Sequence, residues 1–391
     1  MKLTRFFIAS AFAISLPAWA IYAPIPEQEQ GKAWTISLTG GISHDGNIFG
    51  AQTGEISSTI FSASPKIQFN ASVTAQTFVS ALYQLNVDHF ENRPGDKTLD
   101  SHTLMARLAH AFSQSTTIDI SDTYAIQKNP ESLLAGLPIN SDQSLKRNEA
   151  DGRFTTSLSS KAGLTLKSRS VNYSYDNARL GSNLDRTENI FGLSVDYAVL
   201  PEMKAVAEYR HQTIDYRQSG DNKDKSSDFG LVGGDYNLSK KLTATGRLGF
   251  EYRQREAESS DTVPYVEISG KYDYAKGSFV TAGYLYTLEE TSNVALYTDT
   301  LVNRFFVNVQ HAITGRITAS GSIGYEPSQL QGRQGVANVD ETTTRLGLAL
   351  SYQVTKNWIA SVTYDYDNTD SDDNSRNLKR ERYGITATYT F

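Results

Sequence analysis

The last ten residues of the sequence, 382–391, alternate strictly between two kinds of side chain. One parity is apolar and the other is polar or small: Tyr383, Ile385, Ala387, Tyr389 and Phe391 against Arg382, Gly384, Thr386, Thr388 and Thr390. Successive side chains of a β-strand point to opposite faces, so this period of two predicts a strand with one apolar face. A last strand that ends on an aromatic residue is typical of transmembrane barrels. We therefore expect Phe391 to serve as an assembly signal.

The same alternation recurs from Trp34 onward in about eighteen segments, joined by connections that are short and long in turn. This pattern predicts an all-β fold, a transmembrane antiparallel up-and-down β-barrel over residues 34–391, with about 18 strands and 16 as the alternative. The predicted periplasmic turns are 70–72, 113–115, 160–162, 200–202, 239–241, 275–277, 314–315 and 355–357. The predicted outer loops are 43–55, 90–100, 128–149, 179–185, 218–226, 256–262, 290–298, 326–340 and 368–379.

The composition is polar for a membrane protein. Hydrophobic residues make up 39% of the chain, and the mean hydropathy is -0.41. Only every second residue of a barrel strand meets lipid, so a low average hydropathy agrees with the predicted fold. The formal net charge of -6, together with the lack of a basic tract, disfavours nucleic acid as a partner.

The amino-terminal residues have the pattern of an export signal. Two basic residues precede an apolar run over 6–16, and the small residues Ala18 and Ala20 stand before the expected cleavage point. We expect residues 1–20 to be a signal peptide and residues 21–33 to be a short periplasmic segment. The sequence contains no cysteine, so no lipid can be attached at the cleavage site. The predicted location is the outer membrane of a Gram-negative cell.

Charged residues collect on the parity opposite to the apolar one and are predicted to line a pore. Burying an ion without a partner costs several kcal/mol, so these charges must face water or one another. An open pore and a tube plugged by paired charges both satisfy this condition. Because bases outnumber acids in the set, an open pore would prefer anions weakly. The predicted pore-lining residues are Arg107, Lys167, Arg169, Glu208, Arg210, Arg247, Glu251, Arg253, Glu267, Lys271, Arg304, Arg316, Arg345, Asp365 and Arg382.

The third predicted outer loop contains an apolar group, Leu133, Leu134 and Leu137. Exposing these leucines to water is unfavourable, so we expect the loop to fold inward and constrict the channel. A loop cap or a subunit contact would bury the same side chains. The alternation fails at two places: the parity changes between Leu166 and Val171, and Asp122 lies on the apolar parity. A β-bulge or a displaced strand boundary would explain both.

No pattern in the sequence points to an enzyme, a metal site or a cofactor. The six histidines lack the spacing of metal ligands, and no Gly-x-Ser-x-Gly motif is present. The acidic stretch 365–373 resembles a calcium loop in its spacing but lacks the turn glycine and the closing glutamate of an EF-hand. A solvated acidic loop is the simpler interpretation, so no catalytic, cofactor-binding or metal residue is predicted.

Three features together resemble the putative beta-barrel porin 2 family of bacterial outer-membrane proteins. These are the sequence Asp-Gly-Asn-Ile-Phe at 45–49, Ser-Pro-Lys-Ile at 64–67, and tyrosine-rich hairpins that continue to Phe391. The resemblance implies an outer-membrane barrel without catalytic residues, and some members of the family look like components of exopolysaccharide export.

Two classes of function follow from the sequence. The first is a porin-like channel for passive diffusion of small hydrophilic solutes. The second is a barrel that acts in exopolysaccharide export or surface interaction without a general pore. The expected partners are outer-membrane lipid and lipopolysaccharide, the barrel-assembly machinery and small hydrophilic solutes, while a homotrimer and a polysaccharide-export partner remain open alternatives.

Overall fold

Eighteen antiparallel strands of the described residues form one closed sheet in the computed structural model of the chain. The first strand pairs with the last from Ser37 opposite Thr390 to Asp45 opposite Arg382, so the sheet closes on itself. Closure pairs the strand edges, as a membrane-spanning sheet requires. The structure describes residues 33–128, 144–217, 223–239, 241–291 and 293–391. The predicted all-β barrel of about 18 strands is confirmed.

The strands follow one another around the barrel in chain order. The first nine are β1 (Trp34–Asp45), β2 (Ser58–Ser72), β3 (Thr77–Phe90), β4 (Thr98–Ala111), β5 (Thr116–Gln127), β6 (Leu145–Ser157), β7 (Ala162–Tyr175), β8 (Arg186–Leu200) and β9 (Met203–Tyr216). The others are β10 (Lys225–Ser239), β11 (Leu242–Arg255), β12 (Asp261–Ala275), β13 (Ser278–Glu289), β14 (Tyr297–Ala312), β15 (Ile317–Gly332), β16 (Val339–Gln353), β17 (Trp358–Ser371) and β18 (Leu378–Thr390). A short helix, α1 (Ala178–Leu184), and a 3-10 turn, Asn374–Arg376, lie in connections. Neither helical segment of the described chain is long and apolar enough to cross a membrane.

Short and long connections alternate, as predicted. The first turn differs in position, because β2 continues to Ser72 and its residues Asn70 and Ala71 pair with β3. The chain turns three residues later, where Thr74 and Thr77 hydrogen-bond through their hydroxyl groups at 2.9 Å. The loop predicted at 326–340 is also shorter than expected, because β15 continues to Gly332. In both cases polar residues that suggested a loop instead extend a paired strand.

The apolar face of each strand points outward. Phe250 is 62% exposed and Leu348 is 49% exposed. Gly347, which directly precedes Leu348 and faces the other way, is buried. Aromatic rings meet at the edge of the barrel that carries the short turns: the ring centroids of Trp34 and Phe69 are 4.8 Å apart. Aromatic residues at the end of an apolar band are typical of the interface between lipid and water.

The bulge expected between Leu166 and Val171 is absent. β7 pairs with both of its neighbours through this stretch without a shift in register. Val171 instead faces inward and is 4% exposed, on the same face of β7 as Tyr175, which belongs to a buried apolar cluster with Leu145. β5 is likewise regular at Asp122, whose carboxylate lies outside and accepts a hydrogen bond from Asn148 Nδ2 at 3.1 Å. The parity exceptions therefore mark unusual side chains on regular strands.

Candidate functional site: the barrel interior

The charged parity of the strands faces the interior of the barrel. Arg210 on β9 donates to the Tyr265 hydroxyl on β12 across 3.0 Å, although two strands lie between them. Side chains of strands that are not neighbours can meet in this way only on the concave side of the sheet. Arg316 is the exception among the predicted residues. It is exposed in the turn before β15 and not on the wall, because β14 ends at Ala312 and β15 begins at Ile317.

Glu208 is the centre of the first ionic cluster on this inner surface. Its carboxylate contacts Lys167 at 3.0 Å, Arg210 at 2.8 Å and Arg247 at 3.3 Å. The network continues through the Tyr265 hydroxyl, which donates to Glu267 at 2.7 Å. Cations therefore surround the buried carboxylate on three sides, which offsets its loss of hydration.

A second cluster lies nearer the outer loops and is centred on Asp299, which is 0% exposed. Its carboxylate contacts Lys225 at 3.1 Å, Arg253 at 2.6 Å and Arg255 at 2.5 Å. Arg253 also donates to Glu251 at 2.9 Å. Each of these side chains is almost inaccessible to water, so the cluster fills the interior on its side of the barrel.

The remaining predicted cations are mostly paired with acids that the parity analysis did not include. Lys271 contacts Asp273 at 3.2 Å near a short turn. The other pairs are Arg107 with Asp119 at 2.5 Å, Arg169 with Asp151 at 2.7 Å, Arg247 with Asp235 at 2.9 Å, Arg304 with Glu326 at 2.5 Å and with Glu289 at 2.8 Å, and Arg382 with Asp367 at 3.0 Å. Neighbouring strands therefore supply carboxylates at matching heights, and most of the predicted cations are paired.

We call the inner face of β6–β14 the charged wall. Apolar side chains fill the spaces between its ion pairs: Phe229, Leu231, Tyr265 and Leu285 form one buried cluster. The ring centroids of Phe229 and Tyr265 are 5.6 Å apart in an edge-on arrangement. Such packing leaves little room for water against this part of the barrel.

The outer mouth above the charged wall is covered by α1. Asn177 caps the helix by accepting hydrogen bonds from two backbone N–H groups through its side chain. Leu180 and Leu184 are 4% and 1% exposed and pack with inward-facing Ile214 and with Val294 from another outer loop. Burial also lowers the pKa of Lys223, and the nearby charge of Arg333 lowers it further; the amine donates to Asn183 of α1 at 3.2 Å.

The sequence analysis did not identify this cap. The signal was present, since a capping asparagine precedes two leucines four positions apart, which places both leucines on one face of a helix. The residues predicted to constrict the channel, Leu133, Leu134 and Leu137, lie outside the described residues.

The opposite side of the interior, the inner face of β15–β18 and β1–β3, has a different surface, which we call the hydroxyl wall. Its inward side chains are mostly small hydroxyls and amides that are only half-buried. They hydrogen-bond to one another, as Thr39 does with Thr388 at 2.8 Å and Gln84 with Asn86 at 2.9 Å. Inward residues of this wall include Ser37, Thr39, Ser62, Ser64, Gln84, Asn86, Thr363, Thr386 and Thr388.

Three inward cations on the described strands have no acidic partner within the described residues: Lys66, Arg153 and Arg345. Arg345 lines a cavity of about 50 Å³ on the inner surface together with Asp365 and Arg382. Unpaired charges in a water-filled lumen act on passing ions more strongly than paired ones, whose fields largely cancel.

The sequence motif at 45–49 builds the first outer loop. Asn47 accepts from the Ala51 backbone N–H and donates to the Ala51 carbonyl, both at 2.7 Å, while Asp45 accepts from Arg380 of β18 at 3.1 Å. The loop is thereby attached to the strand that closes the barrel. Among the residues that the structure describes, no group of three or more His, Cys, Asp or Glu side chains could hold a metal ion.

Comparison with known proteins gives three findings. Several solved structures have a similar architecture: OccAB3 from Acinetobacter baumannii (11% identity, 92% of this chain and 99% of that chain, TM-score 0.47), OpdQ from Pseudomonas aeruginosa (11% identity, 92% and 97%, TM-score 0.48) and the FrpB iron transporter from Neisseria meningitidis (9% identity, 92% and 81%, TM-score 0.48). A search of curated proteins found no match. Residues 157–391, more than half of the chain, match the family described as putative beta-barrel porin 2, and the protein belongs to that family.

Proposed function

We propose that the protein is an outer-membrane channel for passive diffusion of small hydrophilic solutes, and that solutes pass along the hydroxyl wall. Membership of a β-barrel porin family supports a channel. The proposed path of the solute rests on the difference between the two inner surfaces. Ion pairs and apolar rings fill the charged wall, while the hydroxyl wall keeps half-buried polar groups.

The chemistry of the hydroxyl wall suits passage better than retention. Small hydroxyl and amide groups can exchange hydrogen bonds with a solute and with water at similar energy, so no single position holds the solute tightly. Conduction requires binding that is favourable enough for entry and weak enough for exit. A surface of many weak sites meets both conditions.

Selectivity would depend mainly on the unpaired cations of the hydroxyl wall, Lys66 and Arg345, with a smaller effect from Arg153 on the charged wall. Screening at physiological salt has a length of about 8 Å, so charges near the path act on an ion while charges buried in neutral clusters act weakly. We therefore expect a weak preference for anions even though the net charge of the chain is -6.

We also propose that the barrel is exported to and assembled in the outer membrane. Residues 1–20 would be removed on export, and the barrel would enter the outer membrane with the help of the barrel-assembly machinery, which would recognise Phe391. The outward apolar face would then contact lipid, and the outer loops would contact lipopolysaccharide.

The α1 cap favours a second candidate, a barrel used in export or surface interaction without a general pore. Leu184 at the centre of the cap is almost fully buried, so part of the mouth is closed by a packed apolar contact.

Conductance in planar bilayers separates the two candidates. The channel predicts stepwise current increases when purified barrels insert in KCl, with small uncharged solutes also entering liposomes that carry the protein. Absence of both current and solute entry would reject the channel and favour the second candidate.

A further inference from the structure

Arg345 differs from the other predicted wall cations on the strands. Each of the others contacts a carboxylate, whereas the Arg345 side chain has no ion pair or hydrogen bond within the described residues. It is nevertheless only half-exposed, and it faces the interior beside Gly324 on β15 and Asp367 on β17. The acid nearest in register is already engaged, because Asp367 accepts from Arg382 at 3.0 Å.

The wall forms a recess next to this guanidinium group. Gly324 lies directly opposite Arg345, and Gly347 lies two residues further along the same strand, so two neighbouring positions of the inner surface carry no side chain. Together with Ser322 and the ring of Phe306, they enclose the cavity of about 50 Å³. The recess is therefore open where a small group could approach Arg345 from the lumen.

The chemistry of the recess indicates the kind of group that it can hold. A guanidinium presents parallel N–H donors whose spacing matches the two oxygens of a carboxylate. A recess of this size accommodates a short-chain carboxylate but not a large ring. A carboxylate there would supply the acceptors that the protein does not supply.

Neighbouring charges limit how tightly such a group binds. Asp365 lines the same recess and lies opposite Arg382 in the register of β17 and β18. The two arginines and two aspartates around the recess balance in charge, so the attraction is local to Arg345. Weak, reversible binding is the expected result, and it suits a step along a path of diffusion.

We infer that the recess at Arg345 is a binding site for small carboxylates on the lumen wall. The inference deepens the proposed channel function, since it names small organic acids as a class of solute that pauses on the hydroxyl wall. The guanidinium of Arg345 binds the carboxylate in a bidentate manner, and Gly324 and Gly347 leave the space for it.

The test measures equilibrium binding and current separately. Binding of ¹³C-labelled propionate to the full-length barrel folded in detergent is followed by NMR line broadening, with propionamide as the uncharged probe of the same shape. In parallel, propionate is added to planar bilayers in KCl, and the reduction of chloride current is measured. Arg345→Gln removes the charge, Arg345→Lys keeps it without the planar donor pair, and Arg153→Gln removes an unpaired inward cation from the charged wall as the matched control.

Arg345→Gln should weaken propionate binding by at least about tenfold, as loss of a hydrogen bond to a charged group implies, and Arg345→Lys should weaken it less. Arg153→Gln should leave the affinity unchanged, and propionamide should not bind detectably. Asp365→Asn should strengthen propionate binding, because it removes a negative charge from the recess. Equal losses for Arg345→Gln and Arg153→Gln would overturn the site, and weaker binding by Asp365→Asn would overturn the assignment to carboxylates.

The two measurements fail independently. Binding that depends on Arg345 in a barrel without current would keep the site and reject the channel. If the barrel conducts current but its propionate binding is unchanged in the Arg345 variants, the channel is kept and the site is rejected.

Discussion

The charged wall and the hydroxyl wall are built from the same kind of strand and have opposite interiors. On the charged wall, Arg253 is 1% exposed and Asp299 is 0% exposed, and Phe229, Leu231, Tyr265 and Leu285 form a buried apolar cluster on the same wall. On the hydroxyl wall, Ser37 of β1 and Thr388 of the neighbouring strand β18 are only half-buried. One barrel therefore combines a filled half and an accessible half.

The difference shows how the two surfaces obtain their stability. A buried ion is stable only when partners replace its hydration, so each cation of the charged wall requires carboxylates at defined positions on other strands. Small hydroxyl groups satisfy one another locally and tolerate water. The charged wall is consequently specific and rigid, whereas the hydroxyl wall can accept a changing set of hydrogen-bond partners.

The largest effect is expected when the charged wall loses one carboxylate. Asp299→Asn keeps the shape but leaves Lys225, Arg253 and Arg255 without their shared partner, which should cost about 3–5 kcal/mol in the free energy of unfolding. Asp367→Asn on the hydroxyl wall is the matched control and should cost about 1 kcal/mol or less, because the pair with Arg382 is partly exposed. Urea denaturation of the folded barrel measures both. Equal losses would show that the two walls do not differ in this way.

A smaller effect is expected at the cap over the charged wall. Leu184→Ser removes a buried apolar contact, which should cost about 2–3 kcal/mol and loosen α1 from Ile214 and Val294. Bilayer recordings should then show a higher mean conductance, because the mouth is less obstructed. Arg179→Ser, on the exposed side of the same helix, should leave the conductance unchanged. A cap that covers no part of the path would give the same conductance in both variants.

The smallest effect is expected for selectivity. Replacing Lys66, Arg153 and Arg345 together with Gln should abolish the weak anion preference seen as a reversal potential under a KCl gradient. Paired cations contribute little to the reversal potential, since each has an acid beside it. An unchanged reversal potential in the triple variant would mean that the unpaired cations lie away from the path.

Much of the fold could be predicted from sequence, because strand number and facing depend on local periodicity. The outward facing of Leu348 and the positions of the short turns can be predicted from the local sequence alone. The ion pairs could not be predicted in the same way. Lys167 meets Glu208 across an intervening strand, so the contact depends on the register of three strands and on the curvature of the sheet.

Two further features show where local reasoning fails. Val171 broke the expected parity because the inner face of β7 carries buried apolar as well as charged side chains, which a rule of polar lumen and apolar exterior does not allow for. Arg316 was assigned to the wall because its parity fitted, although the strand begins one residue later. Both errors arise because a parity rule assumes one type of interior and exact strand ends.

The central claim, that solutes pass along the hydroxyl wall and not along the charged wall, can be tested with single cysteines, since the chain has none of its own. Ser37→Cys on β1 places a thiol on the hydroxyl wall, and Ser194→Cys on β8 makes the same change on the charged wall, where the serine is 7% exposed. Each variant is treated in a planar bilayer with sulfonatoethyl methanethiosulfonate, a charged thiol reagent. We expect rapid modification and a lasting reduction of current for Ser37→Cys and no change for Ser194→Cys. Modification and current block at Ser194→Cys, with none at Ser37→Cys, would contradict the account.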